Sequence, residues 1–267
     1  MSRSVRWLVV AAMGFGVLLP LLPLLLWSFA DKWFFPSLWP EAWTLAVWRY
    51  VASPSSRVAE ALLTSTMVAS AVVAICVLVG LPAARALALH RFRGRGAVEW
   101  LLLLPIVVPT LVVAMGIQIA MIRLGLADTL PGVVVVHLAP ALPYFVLVMT
   151  GVFANYSTDL EATARTLGAP PWRVFWHVTL PGILPGLVVA AMFTFLVSWS
   201  QYITTVLVGG GRIVTLPMVL FPLIGSANHG AAAAVSIVFV LPALVILLYA
   251  TRTLHQGADA LGGFGKL

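Results

Sequence analysis

Apolar residues in this chain come in long unbroken runs, separated by short polar stretches rich in arginine. Six runs stand out: approximately Trp7–Phe29, Ala61–Ala84, Trp100–Ile122, Pro131–Phe153, Ile183–Val208 and Ala231–Ala250. About 20 apolar residues in a helix cross the hydrocarbon core of a bilayer, so each run is long enough to span it. The runs are rich in Leu, Val and Ala and lack the alternation of barrel strands. The pattern therefore predicts an all-α integral membrane protein of six transmembrane helices, read as a single domain over 1–267. Prolines inside the runs (Pro20, Pro23, Pro105, Pro109, Pro140, Pro143, Pro242) predict kinks whose freed carbonyls neighbouring helices can satisfy.

Composition agrees with the pattern. Of 267 residues 62% are hydrophobic and 9% charged, against roughly 45–50% and about 25% in soluble domains. The net charge of +7 could point to nucleic acid, but the arginines sit in short loops between apolar runs. With the N-terminus inside, Arg3, Arg6, Arg85, Arg91, Arg93, Arg95, Arg165, Arg173, Arg252 and Lys266 fall on the cytoplasmic side. Lys32, Arg49, Arg57, Arg123 and Arg212 fall outside. This bias predicts a multi-pass inner-membrane protein with both termini cytoplasmic, and no nucleic-acid partner. The first run follows Arg3 and Arg6 like a signal peptide, but it is longer than an h-region and no small-residue cleavage site follows, so it reads as an uncleaved span. Between Asp31 and Glu60 the segment faces the periplasm, where Trp33, Trp39, Trp43 and Trp48 suit the water–lipid interface. The one cysteine, Cys76, lies in an apolar run and reads as a packed apolar residue.

The fourth connection, residues 155–181, reads NYSTDLEATARTLGAPPWRVFWHVTLP. It is long for a link between membrane helices and carries its own helix signals. Ser157 or Thr158 can cap a helix, with Asp159 and Glu161 favourable in its first turn. Leu160, Ala164 and Leu167 share a face. Gly168 suits the left-handed residue after a helix end. Pro170 and Pro171 can restart a helix, with Trp172, Phe175 and Trp176 on its apolar side, and Pro181 can open the next span. Two short helices across the cytoplasmic face are expected. The residues alone leave two roles open: a knob for a soluble partner, or an interfacial anchor.

The same segment resembles the signature loop of binding-protein-dependent ABC importer permeases. That pattern runs EAA, three residues, Gly, nine residues, Ile, one residue, Leu-Pro. Here Gly168 and Leu180-Pro181 stand at the required spacing, and Val178 replaces the Ile. Ala162, Thr163 and Ala164 occupy the EAA positions. The family glutamate is thus an alanine, and the nearest carboxylate is Glu161, about 100° round the helix. The resemblance covers most of the chain from Ala61 to about Arg252, and implies the type I importer transmembrane fold. It also implies that the loop, through Glu161, Ala162, Thr163, Ala164, Gly168, Ala169, Pro170, Leu180 and Pro181, is a coupling helix docking on an ATPase subunit. Two ATPase copies, a second permease subunit (a different chain or a copy of this one) and a periplasmic or lipid-anchored substrate-binding protein are implied partners. ATP and Mg would belong to the ATPase, leaving this chain without a cofactor, a metal or catalysis of its own.

Polar residues inside apolar runs mark a candidate translocation path. Ser198, Ser200, Gln201 and Tyr202 cluster with Trp199, Thr204 and Thr205 in the fifth run, and Gln118 stands in the third. The plain alternative is hydrogen bonding between helices, which is also the reading for His137. Gly209–Gly211 and Thr215-Leu216-Pro217 suit an outer mouth or a simple turn. The permeases it is similar to include those for spermidine/putrescine, thiamine, iron(III) and aminoethylphosphonate; polyamine permeases tend to carry carboxylates where this chain has neutral Ser200 and Gln201. An ion-gradient-driven secondary transporter would call for ionisable residues near the bilayer midplane, which the runs lack. A non-transporting scaffold would leave the polar fifth run and the loop signals without a role. The tail Gly262-Gly263-Phe264-Gly265-Lys266 only faintly resembles a phosphate-binding loop, lacking its Ser or Thr and its upstream spacing.

Overall fold

The computed structural model describes residues 5, 14–16, 19–33, 37–226 and 228–262, with side chains to 246 and at 248. Much of the first expected span, Pro36 and the Gly263–Lys266 tail lie outside the described residues. The described chain is helical apart from one two-stranded ladder. It divides into two compact units, Met1–Leu63 with Val214–Pro242, and Thr64–Ile213 with Ala243–Leu267.

The first unit contains α1 (Leu21–Phe29), a short antiparallel ladder of β1 (Ala30–Asp31) and β2 (Ala42–Trp43), and α2 (Ala46–Ala52). Its aromatic residues pack on one another. Trp27 stacks on Trp33 at 4.7 Å and meets His229 at 5.1 Å, and Phe29 lies 5.7 Å from Trp48. Trp33 also donates its indole N–H to the Ser37 carbonyl at 2.9 Å. Two of the expected interfacial tryptophans, Trp33 and Trp48, thus also form tertiary contacts, while Trp39 and Trp43 are exposed.

From Val58 the chain runs as α3 to Leu89, a helix of 32 residues. At ~1.5 Å per residue it is about 48 Å long, well beyond a ~30 Å hydrocarbon core. Its last turns, carrying Arg85, therefore extend past the apolar run. A π-turn at Cys76–Gly80 interrupts it without ending it. There a Cβ on Gly80 would lie 2.6 Å from the Phe145 ring, so only glycine permits that approach.

Next come α4 (Arg95–Val107) and α5 (Thr110–Arg123). The sequence suggests one span from Trp100 to Ile122, but the two helices meet at 107°. The cause is local. Val108 precedes Pro109 and is extended, with φ −78° and ψ 136°, and proline both disfavours a helical residue before it and lacks the N–H to continue the ladder.

α6 (Leu130–Ala154) is the centre of the second unit. Val133, Ala141, Phe145, Met149 and Phe153 recur about every four residues and are fully buried against α3 and α8. Thr129 caps its start by accepting from the Gly132 N–H at 3.1 Å. After α7 (Asp159–Thr166) comes α8, Pro171–Trp199, whose π-turn lies at Phe175–Thr179. The apolar run predicts a fifth span over Ile183–Val208. Instead the span begins at Pro171 and stops at Trp199, and α9 (Ile203–Gly209) follows as a separate helix. α10 (Leu216–Gly225) and α11 (His229–Gly262) complete the described chain. Among the described residues, four helices are long and apolar enough to cross a membrane, five if the bent pair counts as one span. This is compatible with six spans, the first of which has residues 7–13, 17 and 18 outside the described residues.

Candidate docking loop and polar break

The loop after α6 forms the expected first short helix, but its N-cap Thr158 makes no side-chain cap hydrogen bond. Ser157 Oγ accepts the Asp159 N–H at 3.3 Å and donates to the Asp159 carboxylate at 2.9 Å, closing a local turn before α7. At the other end Gly168 takes φ +83°, and a Cβ there would meet nothing within 4 Å. The position therefore selects glycine through backbone conformation and not through space. The Ala169 N–H returns to the Ala164 carbonyl at 3.0 Å and Gly168 N–H to Arg165 at 2.9 Å, satisfying the last carbonyls of α7. Pro170 is extended, with ψ 154°, and Pro171 starts α8. The second short helix is thus no separate element. Trp172 to Thr179 are the first turns of the fifth span, and Leu180 and Pro181 lie within a continuous helix.

Two faces of α7 differ sharply. Leu160 and Leu167 are 66% and 83% exposed, and Ala162 and Thr163 are exposed beside them. Thr163 only returns its hydroxyl to the Asp159 carbonyl at 2.9 Å. Glu161 points the other way and is 3% exposed. Its carboxylate receives both ends of the Arg85 guanidinium, Nη1 at 3.0 Å and Nη2 at 2.6 Å, in a bidentate pair. Thr179 Oγ1 donates to it at 2.8 Å. Arg165 Nη2 approaches at 3.5 Å from the same helix. The Arg85 guanidinium also lies 5.8 Å from the Phe153 ring centre. Burial pushes the Glu161 carboxyl up, but hydrogen bonds from Arg85 and Thr179 and the charge of Arg85 outweigh it and hold the group below the usual carboxylate range. The sequence offers Glu161 to an ATPase; the structure turns it to its own chain. Standing one position before the family glutamate, it is rotated by about 100° on the helix, onto the inward face.

Four candidate path residues, Ser198, Ser200, Gln201 and Tyr202, lie at the break between α8 and α9, and Gln118 bonds farther along α9. Ser198 lies in the last turn of α8, Ser200 and Gln201 lie in the break, and Tyr202 adjoins the start of α9. Gln201 accepts from the Thr204 hydroxyl at 2.8 Å through its side chain and from Thr205 at 3.0 Å through its backbone. His137, fully buried in α6, bridges Ser198 and Thr205 at 2.9 Å through each ring nitrogen. Gln118 donates to the Leu207 carbonyl at 3.0 Å. Ser200 is exposed, its hydroxyl returned to the Val197 carbonyl at 3.2 Å. None of these residues is an acid, a lysine or an arginine. Arg85 and Thr179 carry no sequence signal as site residues, whereas His137 makes the bonds between helices that the sequence suggests for it. Arg85 lies 76 positions from its partner, and no local spacing signals such a pair.

A helical chain with several membrane-length apolar helices defines an integral membrane protein. A family model, binding-protein-dependent transport system inner membrane component, matches residues 76–257. The chain belongs to that family, and is a permease subunit of binding-protein-dependent ABC importers. It is 33% identical to the molybdenum transport system permease protein ModB of Mycobacterium tuberculosis over 93% of this chain and 94% of that one. It is 30% identical to a putative 2-aminoethylphosphonate transport system permease protein, PhnV, of Salmonella paratyphi A, over 91% and 92%. Among solved structures, a bacterial ABC transporter involved in import of the acidic polysaccharide alginate superimposes with a TM-score of 0.71 at 17% identity, over 94% of this chain and 98% of that one. The MetNI methionine ABC transporter does so with 0.60 at 19% identity, over 77% and 98%.

Proposed function

We propose that this chain forms the translocation path of an ATP-driven importer and receives its driving force through α7. The observation that carries this is the two-faced docking helix: Leu160 and Leu167 are left uncovered by the chain's own residues, while Glu161 anchors the opposite face. Two copies of a separate ATPase supply hydrolysis, with ATP and Mg bound there, and this chain performs no chemistry. A second permease subunit pairs with it, and a periplasmic or lipid-anchored binding protein delivers cargo to the outer face. Both termini lie in the cytoplasm in that arrangement. Ala162, Thr163, Ala164, Gly168, Ala169 and Pro170 shape the docking surface, and Leu180 and Pro181 carry its movement into α8. Ser198, Ser200, Gln201, Tyr202 and Gln118 border the path.

The full-length likeness to ModB makes molybdenum, carried as its oxyanion, the first cargo to assay. The neutral donors at the α8–α9 break suit an anion better than a polycation, which would draw on carboxylates. Purification of the tagged chain from its native membrane in mild detergent, followed by mass spectrometry, tests the assembly. Two ATPase copies with one or two permease chains are expected. A chain that emerges alone in every detergent sinks the reading. Uptake of labelled molybdate by the reconstituted importer, unaffected by excess phosphonate, is the expected result for cargo; the reverse preference would reassign it.

A further inference from the structure

Resting on that reading, we infer that Arg85, Glu161 and Thr179 form a positioning latch that carries movement of the docking helix into two membrane spans. Glu161 is on α7, Arg85 on the extended end of α3, and Thr179 in the first turns of α8. One carboxylate therefore ties the docking helix to two spans at once. A π-turn interrupts each span just there. The π-turn Cys76–Gly80 ends five residues before Arg85, and the π-turn Phe175–Thr179 ends on Thr179 itself. Such turns loosen the helical hydrogen-bond register and recur at functional sites within helices.

Beside the latch lies an open apolar pocket of about 790 Å³, lined by Leu78, Phe153, Phe175 and Leu184 among others. The bidentate geometry fixes direction as well as distance. A buried ion pair adds little stability over an apolar replacement, so its value here is geometric. Glu161 acts through Arg85 and Thr179 and is a positioning residue, not a contact to the ATPase.

The test uses the complete importer, with ATPase, second permease and binding protein, in proteoliposomes, and reads cargo moved per ATP hydrolysed. Arg85→Glu and Glu161→Arg are compared singly and together. Each single reversal should lower that ratio by about tenfold or more, and the pair should recover to within roughly threefold of the wild type. Arg85→Lys, which keeps the charge but loses the fork, should fall between. Thr179→Val should cost about two- to threefold. Should the reversals fail to fold, Arg85→Lys and Glu161→Gln carry the same test, with Glu161→Gln the more damaging. A double reversal no better than either single one, in complexes that still hold two ATPases, overturns the latch. Loss of the ATPase from every Glu161 variant, the double included, also overturns it, because it makes Glu161 a direct docking contact. Absence of the ATPase from the wild type itself instead defeats the importer reading on which the latch stands.

Discussion

The second unit holds two polar clusters built on opposite chemistry. At the docking loop, a carboxylate and a guanidinium face each other with one hydroxyl in support. At the α8–α9 break, an imidazole, hydroxyls and an amide share hydrogen bonds without a formal charge pair. The charged cluster lies beyond the apolar runs, beside an exposed helix. The uncharged one lies within them. This division follows from solvation: a charge costs several kcal/mol to strip of water, whereas a hydroxyl or amide with its partners in place costs little. The charge pair fixes a direction beyond the ends of the apolar runs, and the neutral groups hold helices together inside them.

Arg85→Ala leaves the Glu161 carboxylate buried without its main partner, and should destabilise the chain by about 3–5 kcal/mol, read as a fall in melting temperature of the detergent-purified protein. His137→Phe removes a neutral bridge and should cost less, about 1–3 kcal/mol, because the Ser198 and Thr205 hydroxyls lose one partner each and no charge is stranded. An equal loss in the two variants would erase the proposed distinction. Gly168→Val should cost roughly 1–2 kcal/mol, since a β-branched residue disfavours φ +83°. Its effect on transport should exceed its effect on stability, because the turn sets the angle of α7. Normal uptake by the Gly168→Val importer would show that the turn does not govern docking.

The smallest effect concerns pH. The Glu161 carboxyl is held below its ordinary value of 4.5. A group with a depressed folded-state value contributes stability above the unfolded value and loses it as pH falls through the folded one. The melting-temperature gap between wild type and Glu161→Gln should therefore be full at pH 7 and shrink below about pH 4.5. A gap that stays constant down to pH 3 would assign it to shape and not to charge.

Legibility in the sequence differs by element. The apolar runs specify the membrane class, because no soluble fold can bury that much apolar surface. The α7 start, the Gly168 turn and the exposed Leu160–Leu167 face depend on residues within one or two helical turns of each other. Span boundaries are less legible. Val108-Pro109 stands in an apolar run that hydropathy reads as continuous, yet the helices on either side of it meet at 107°. The reverse holds at Pro171, where two prolines and a polar loop suggest a separate helix but the chain continues through a π-turn into the span. Proline at a first helical turn and proline at a break look alike in sequence, and packing against neighbouring helices separates the two cases.

The membrane solvent, the family and the short helix of the fourth connection are all legible in the order of the amino acids. These depend on composition and on spacings of a few residues, where local geometry has few options. The direction of Glu161, its meeting with Arg85 across 76 positions and the joining of three helices by His137 at the break come from the packed fold. Those pairings depend on how the packed helices bring distant side chains together, and a helix specifies its own faces but not which neighbour will cover them.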